Sequence, residues 1–384
     1  MTTHAQLTEV YPMLPFVPVT GSGVFLEDAH GRRVLDLYGG HAVATLGYGH
    51  PRLTAALARQ AKALYFQSNA VNLAIRDAAA DRVAAFAPEG LERVFFVNSG
   101  AEANENALRI ALRATARPKV VAIEHGFHGR TAAAAAVTWG AKDRWYGFPR
   151  TPMDVVFTPR NDFVALRGAI DAQTAALIVE PVQGQAGAFD FAPGFLTAAR
   201  EACDRAGALL ILDEVQTGMG RLGAPFGADL YDVRPDLLTT AKGLGGGFPC
   251  GAVIMTQALA KGLKAGDLGT TFGGGPMACA VIEAVVETLE SDNVLANVRE
   301  MSTLIRERCQ VGPVASIQGA GLLLGLRTRV KATAVRDALL THDILVGTSA
   351  DPNVVRLLPP LILQTDHVAR LAHALEELND ESLQ

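Results

Sequence analysis

Leu237-Leu238-Thr239-Thr240-Ala241-Lys242-Gly243-Leu244-Gly245-Gly246-Gly247 passes from a short apolar run into a glycine loop, which reads as a buried strand ending in a tight turn. Lysine is seldom buried without a partner, so Lys242 at that junction needs either an ion pair or a covalent task. An isolated lysine there would read as a side chain snorkelling off a strand end. Upstream, Ala208-Leu209-Leu210-Ile211-Leu212-Asp213-Glu214-Val215-Gln216-Thr217-Gly218 repeats the plan, an apolar strand closed by an acid pair. Strand ends of this kind are where α/β proteins gather ligand groups.

Working outward, apolar runs recur at 94–97, 120–123, 155–157, 177–179, 209–212, 237–238 and 252–255. Several are separated by alanine-rich, helix-favouring segments such as 101–113 and 195–206. The alternation predicts an α/β fold, a mainly parallel seven-stranded sheet covered by helices. Before it, 23–28 and 33–37 flank a glycine turn and predict a hairpin in a smaller unit. After Met277 a long apolar helix leads to strand candidates at 321–326 and 354–358 and a last helix over 366–378. The expected division is a large domain over 51–290, with 1–50 and 291–384 forming a smaller α+β domain.

The 34 basic and 39 acidic residues leave a net charge of −5, with no basic tract for nucleic acid and no polybasic patch for a membrane surface. Small metabolites are the expected partners. Cys203, Cys250, Cys279 and Cys309 lack metal-ligand spacing and suit a reducing compartment, without a disulfide. Met1-Thr2-Thr3-His4-Ala5-Gln6 lacks a basic, then apolar leader, and no apolar run is long enough to span a bilayer. The expectation is a soluble, cytoplasmic protein.

In Val97-Asn98-Ser99-Gly100-Ala101-Glu102, Ser99 and Glu102 have capping-box spacing. The motif is an ordinary cap or a seat for a phosphate on the unpaired N–H groups of a helix start. His125-Gly126-Phe127-His128-Gly129-Arg130-Thr131 offers Phe127 to cover a planar heterocycle and Arg130 to grip a carboxylate. No third ligand near His125 and His128 supports a metal site. A lysine and a carboxylate at neighbouring strand ends suggest pyridoxal phosphate, the amine bonding the cofactor and the acid pairing with its pyridine nitrogen.

Together, Asn98 to Asn104, His125 to Thr131, Glu180-Pro181-Val182-Gln183-Gly184, Leu212 to Gly218, Thr240 to Gly243 and Gly269 to Gly274 closely resemble the class III (ω-amino-acid) aminotransferases, fold type I pyridoxal phosphate enzymes. The resemblance implies that Lys242 holds the cofactor covalently and later moves a proton between substrate and cofactor. It implies that Asp213 keeps the pyridine nitrogen protonated, where a helix-capping aspartate is the plainer alternative. It gives Val215 and Phe127 the two faces of the ring, Gln216 its phenolic oxygen, and Gly100 and Ala101 the phosphate. Thr271 would complete the phosphate site of a partner subunit, which makes the enzyme a homodimer.

The same resemblance implies an amino donor such as N2-acetylornithine, held by its carboxylate on Arg130 with Thr270 lining the pocket. The acceptor would be 2-oxoglutarate, its 1-carboxylate on Arg356. Glu180 would pair with Arg356 when that carboxylate is absent; a structural salt bridge is the alternative. The chain departs from the pattern at Gly275, Gln185 and His41. His41 follows Tyr38-Gly39-Gly40, as in enzymes acting on succinylornithine, and stands either at the distal end of the substrate or in the core. N-succinylornithine, ornithine and acyl- or carrier-linked lysine derivatives therefore stay open as donors. A nicotinamide oxidoreductase lacks its glycine fingerprint in either Gly243-Leu244-Gly245-Gly246-Gly247 or Gly319-Ala320-Gly321. A non-catalytic pyridoxal phosphate protein would not need Arg130 and Arg356.

Overall fold

The computed structural model describes residues 8–378 and Leu383; residues 1–6, on which the expectation of no leader rests, lie outside them. Seven strands form one sheet in the order Leu91–Val97, Gly251–Thr256, Leu237–Thr240, Leu209–Asp213, Thr174–Val179, Lys119–Ile123, Asp154–Thr158. Six run one way, and Gly251–Thr256 runs against both its neighbours. Thr174–Val179 and Leu237–Thr240 are buried along their whole length, as strands covered on both faces must be, so neither shows polar alternation. Helices Gly100–Thr115 and Phe195–Ala206 pack on the sheet with their alanine-rich faces inward.

The parallel strands bring their carboxyl ends to one edge, so the segments following residues 97, 123, 179, 213 and 240 converge there. Asp213 and Thr239 pair across adjacent strands, which sets Asp213 and Lys242 on neighbouring strand ends.

The predicted hairpin forms between Phe25–Asp28 and Arg33–Asp36, with Pro18–Ser22 added at its edge. Asp28 closes the turn by accepting the N–H groups of His30 and Arg32 at 2.8 and 2.9 Å. Ile344–Leu345 joins Arg33–Asp36 in parallel, so one small sheet combines the two distant parts of the chain. A further sheet orders Val314–Ala320, Leu323–Thr328, Val354–Leu357 and Gly347–Thr348. The strand expected from residue 321 begins at Leu323 because Gly321 takes a left-handed turn, φ 52°. Val314–Ala320, its hairpin partner, was not anticipated.

The apolar segment after Gly275 is Pro276–Ser291, followed by a second helix, Val294–Arg308, and the chain's last long helix is Thr365–Glu377. All four cysteines are free and buried. Among the described residues no helix is long and apolar enough to cross a membrane.

Candidate active site

A cavity of about 660 Å³ opens where the strand ends converge, and Lys242, Asp213, Val215, Phe127, Gly100 and Arg130 share its wall. Lys242 leaves the strand with φ 39°, a left-handed conformation uncommon for a residue with a side chain. No hydrogen bond or ion pair holds its amine among the described residues. Burial lowers its pKa to about 8, against the opposing pull of the Asp213 and Glu180 carboxylates. A substantial neutral fraction at pH near 8 is what a nucleophile and proton carrier requires.

Asp213 is buried at 3% exposure, a position that demands strong partners. Its Oδ2 accepts from Asn104 Nδ2 and lies against His128 Nδ1, both at 2.7 Å, and its Oδ1 accepts the Val215 N–H at 3.1 Å. Asn104 also donates to the His128 carbonyl and accepts from Thr239 Oγ1, each at 2.7 Å. Burial pulls the His128 pKa down, but the hydrogen bond and charge of Asp213 outweigh it and the net direction is up. The sequence reading gave neither Asn104 nor His128 a role. A signal existed for Asn104: it stands four residues before Leu108 and seven before Ala111 on the buried stripe of its helix, a polar residue where an apolar one packs. The acid pair read at 213–214 splits. Glu214 turns away, accepts the N–H groups of Gly227 and Ala228 at 2.6 and 2.7 Å and the Thr217 hydroxyl at 2.8 Å, and burial raises its pKa to about 7.

At the start of Gly100–Thr115, Ser99 Oγ accepts the Glu102 N–H at 3.2 Å. Glu102 reaches the Asn98 N–H at 2.6 Å rather than that of Ser99, so half of the expected capping box forms. No hydrogen bond takes up the N–H of Gly100 or Ala101 among the described residues, leaving the positive end of the helix open to an anion. A Cβ on Gly100 would stand 2.6 Å from Val215 Cγ1, so the helix start and Val215 fit only with glycine between them. The Gln216 amide donates to the His41 carbonyl at 3.4 Å. Open amides, a carboxylate with spare acceptor capacity, two apolar ring faces and an unpaired amine fit the phosphate, nitrogen, ring and aldehyde of pyridoxal phosphate.

The remaining expected residues divide. Arg130 lines the cavity, carries no hydrogen bond or ion pair among the described residues, and stacks 4.5 Å over the Trp145 ring. Glu180 also lines it, accepting the Phe127 N–H at 2.9 Å and the Gly184 N–H at 3.2 Å, with its pKa raised to about 7 by burial. The expected Glu180–Arg356 pair is not formed. Arg356 sits behind the cavity wall, donating to the carbonyls of Thr348 and Gly184 at 2.7 and 3.3 Å and to Tyr38 Oη at 3.0 Å. A buried guanidinium needs acceptors, and backbone carbonyls supply them here. The two side chains meet only through opposite ends of the Gly184 residue. Tyr38 Oη in turn lies 2.6 Å from His41 Nδ1, and His41 lines the cavity with φ 65°. Arg356 donates to the phenol oxygen, whose O–H can be given to Nδ1 when His41 is neutral imidazole. Burial and then the charge of Arg356 lower the His41 pKa.

Thr270 and Thr271 do not reach this cavity within the chain. They line another, of about 890 Å³, with Glu102, Glu105 and Arg109 on the far flank of the same helix. Thr270 is held there by Asn98 and by the Gly273 N–H. Gly275 precedes Pro276 with no side-chain cap, as follows from glycine in place of an asparagine. Among the described residues no cluster of histidine, cysteine and acidic side chains could hold a metal.

The class-III aminotransferase family matches residues 7–378 of the chain. The chain belongs to the class-III aminotransferases. It is 43% identical to the acetylornithine aminotransferase of Streptomyces coelicolor over 377 residues, covering 97% of this chain and 92% of that one. It is 37% identical to an acetylornithine/succinyldiaminopimelate aminotransferase of Yersinia pestis, with 96% and 94% covered. The ornithine aminotransferase of Toxoplasma gondii superposes with a TM-score of 0.92 at 29% identity, covering 98% of this chain and 93% of that one.

The protein is thus a pyridoxal-phosphate-dependent aminotransferase. When bound, the cofactor supplies an aldehyde for amines and a ring that takes up the electron pair of a broken C–H bond. The aminotransferase's own contribution is arrangement. Asp213, oriented by Asn104 and His128, would pair with the pyridine nitrogen and keep its proton there. Lys242, with its lowered pKa, would be the residue to hold the cofactor and to receive and return a proton at that strand end. Gly100 and Ala101 would offer two N–H groups to the phosphate, and Val215, packed against Gly100, would cover one face of the ring.

Proposed function

We propose that this aminotransferase moves the terminal amino group of an N-acylornithine, N2-acetylornithine above all, to 2-oxoglutarate, giving the semialdehyde and glutamate. The observation that carries it is Arg130: a guanidinium on the same wall as Lys242 with no acid partner among the described residues. A carboxylate on Arg130 leaves the far end of an ω-amino acid to meet Lys242. Relatives that act on acetylornithine support the choice. Arg356 would receive the 1-carboxylate of 2-oxoglutarate by exchanging the Gly184 and Thr348 carbonyls for it, while Glu180 keeps its own hold on Gly184.

The enzyme works as a cytoplasmic homodimer in this reading, each subunit presenting Thr271 to the other's phosphate site. Thr271 is exposed beside Phe272 and Phe66, which are 64% and 40% exposed with ring centroids 5.3 Å apart, an apolar surface suited to burial between subunits.

The test is a half-reaction panel. N2-acetylornithine should bleach the visible absorption of the bound cofactor, 2-oxoglutarate should restore it, and glutamate should accumulate. N-succinylornithine, ornithine and acyl-lysine in the same panel separate the neighbouring donors. A cofactor band that ignores every ω-amine would refute the assignment. Arg130→Ala should weaken donor binding by about a hundredfold, the cost of removing a charge partner. Glu180→Ala should raise activity with glutamate relative to the ω-amine; an unchanged ratio would remove Glu180 from substrate switching.

A further inference from the structure

We propose that the donor's N-acyl group is seated in a second cavity, of about 400 Å³, which shares part of its wall with the Lys242 cavity and accepts flat acyl groups much larger than acetyl. The two cavities share Phe127, Arg130 and Gln185 in their walls. The inference rests on Arg130 holding the donor's carboxylate. The carbon that bears this carboxylate has three other bonds, to hydrogen, to the chain that runs to Lys242, and to the acylated nitrogen. With the carboxylate on Arg130 and the chain in the first cavity, the acylated nitrogen leaves beside the guanidinium. That guanidinium stands over Trp145, at the border between the cavities.

Beyond the border the lining includes His125, Trp139, Arg144, Trp145 and Ala350. Trp139 is fixed between His125 and Phe157, with centroids 5.7 and 5.1 Å away. Arg144 spends its Nε and Nη2 on the carbonyls of Gly140 and Trp139, both at 3.0 Å, which ties the loop that carries the aromatic wall. Burial lowers the His125 pKa, and Asp143 stands in the same wall as Arg144. Two indoles favour flat, apolar bulk. An acetyl group leaves most of this volume unfilled, whereas an aromatic acyl group uses it.

The chain has two tryptophans in all, and both line this cavity, so intrinsic tryptophan emission reports its occupancy without turnover. The holoenzyme would be titrated with N-benzoyl-L-norvaline, N-acetyl-L-norvaline and pentanoate, which lack the terminal amine. Both acyl compounds should shift emission saturably, the benzoyl compound binding about tenfold more tightly as stacking predicts, while pentanoate leaves it unchanged. Ala350→Phe, a change at an exposed residue on the cavity's edge, should weaken the benzoyl compound by about tenfold and the acetyl compound by less than about threefold. The proposal is overturned if the benzoyl compound competes with the donor but leaves emission unchanged, if Ala350→Phe weakens both alike, or if no acyl compound binds. These readings are separate from the fate of the donor assignment: bleaching by acetylornithine with silent tryptophans removes the acyl seat alone, and no bleaching by any ω-amine removes the donor reading beneath it.

Discussion

Lys242 shows how far a single residue's environment decides chemistry. Its pKa of about 8 comes from burial, so the neutral amine grows as pH rises toward that value. The rate of pyridoxal phosphate loading onto the apoprotein should climb about tenfold per pH unit below 8 and level off above it; a flat profile measured by absorbance would contradict a buried, depressed lysine. The same shift has a sign in stability. In the apoprotein the unfolded lysine holds its proton up to its ordinary pKa near 10.5 while the folded one releases it near 8, so the unfolded state binds more protons between those values. Stability of the apoprotein should therefore rise with pH across that window, and the burial penalty is fully present below it. Lys242→Met should stabilise the apoprotein at pH 7 by on the order of 3 kcal/mol, read from denaturant titration. Asp213→Asn keeps the shape but loses the charge, and kcat should fall by about 10²-fold or more. Lys242 and Asp213 were legible together: either alone reads as a strand-end lysine or a capping aspartate, but a lysine and a carboxylate ending neighbouring apolar runs point to one site. Asn104 and His128 were not, since their bonds to Asp213 span 109 and 85 residues, and only the sheet's register closes those distances.

Among elements, the turn after Leu209–Asp213 and the start of Gly100–Thr115 constrain each other through Gly100 and Val215. Gly100→Ala should cost about 1–3 kcal/mol of stability from overpacking and weaken cofactor binding in equilibrium dialysis, because the Val215 shift that relieves the contact also tilts the ring face. Glu214 serves the neighbouring element. It terminates its strand and caps Gly227–Leu230 through two backbone N–H groups, so Glu214→Gln, which turns one acceptor into a donor, should cost roughly 1–3 kcal/mol with little change in donor KM. The seven strands were readable from apolar runs bounded by turn residues, because fully buried strands carry that composition outright. Val314–Ala320, with two exposed and three half-buried residues, has no such run, and its pairing with Leu323–Thr328 decides its conformation. The direct Glu180–Arg356 contact is absent from this structure for a related reason: charge complementarity in the sequence does not reveal the carbonyls of Gly184 and Thr348 to which Arg356 donates.

For the whole molecule, the proposed homodimer has a direct test in subunit mixing. Lys242→Ala removes one chain's own site, and Thr271→Val removes what that chain would lend to its partner. Each variant alone should be inactive or weak, whereas co-refolded chains should recover activity, because the hybrid contains one site with both residues intact. Recovery that never exceeds the sum of the parents would place Thr271 outside the partner's site. The order of the large sheet also governs how this chain leaves the ribosome. Leu91–Val97 has a single neighbour in that sheet, Gly251–Thr256, made some 160 residues later, a wait of roughly 10–30 s at ordinary rates of synthesis. Throughout that interval a strand carrying Phe95, Phe96 and Val97 has no partner of its own to pair with. Fragments that stop before residue 251 should for that reason aggregate, while the finished chain, with its late strand running backward to fill the gap, closes the hazard in one step.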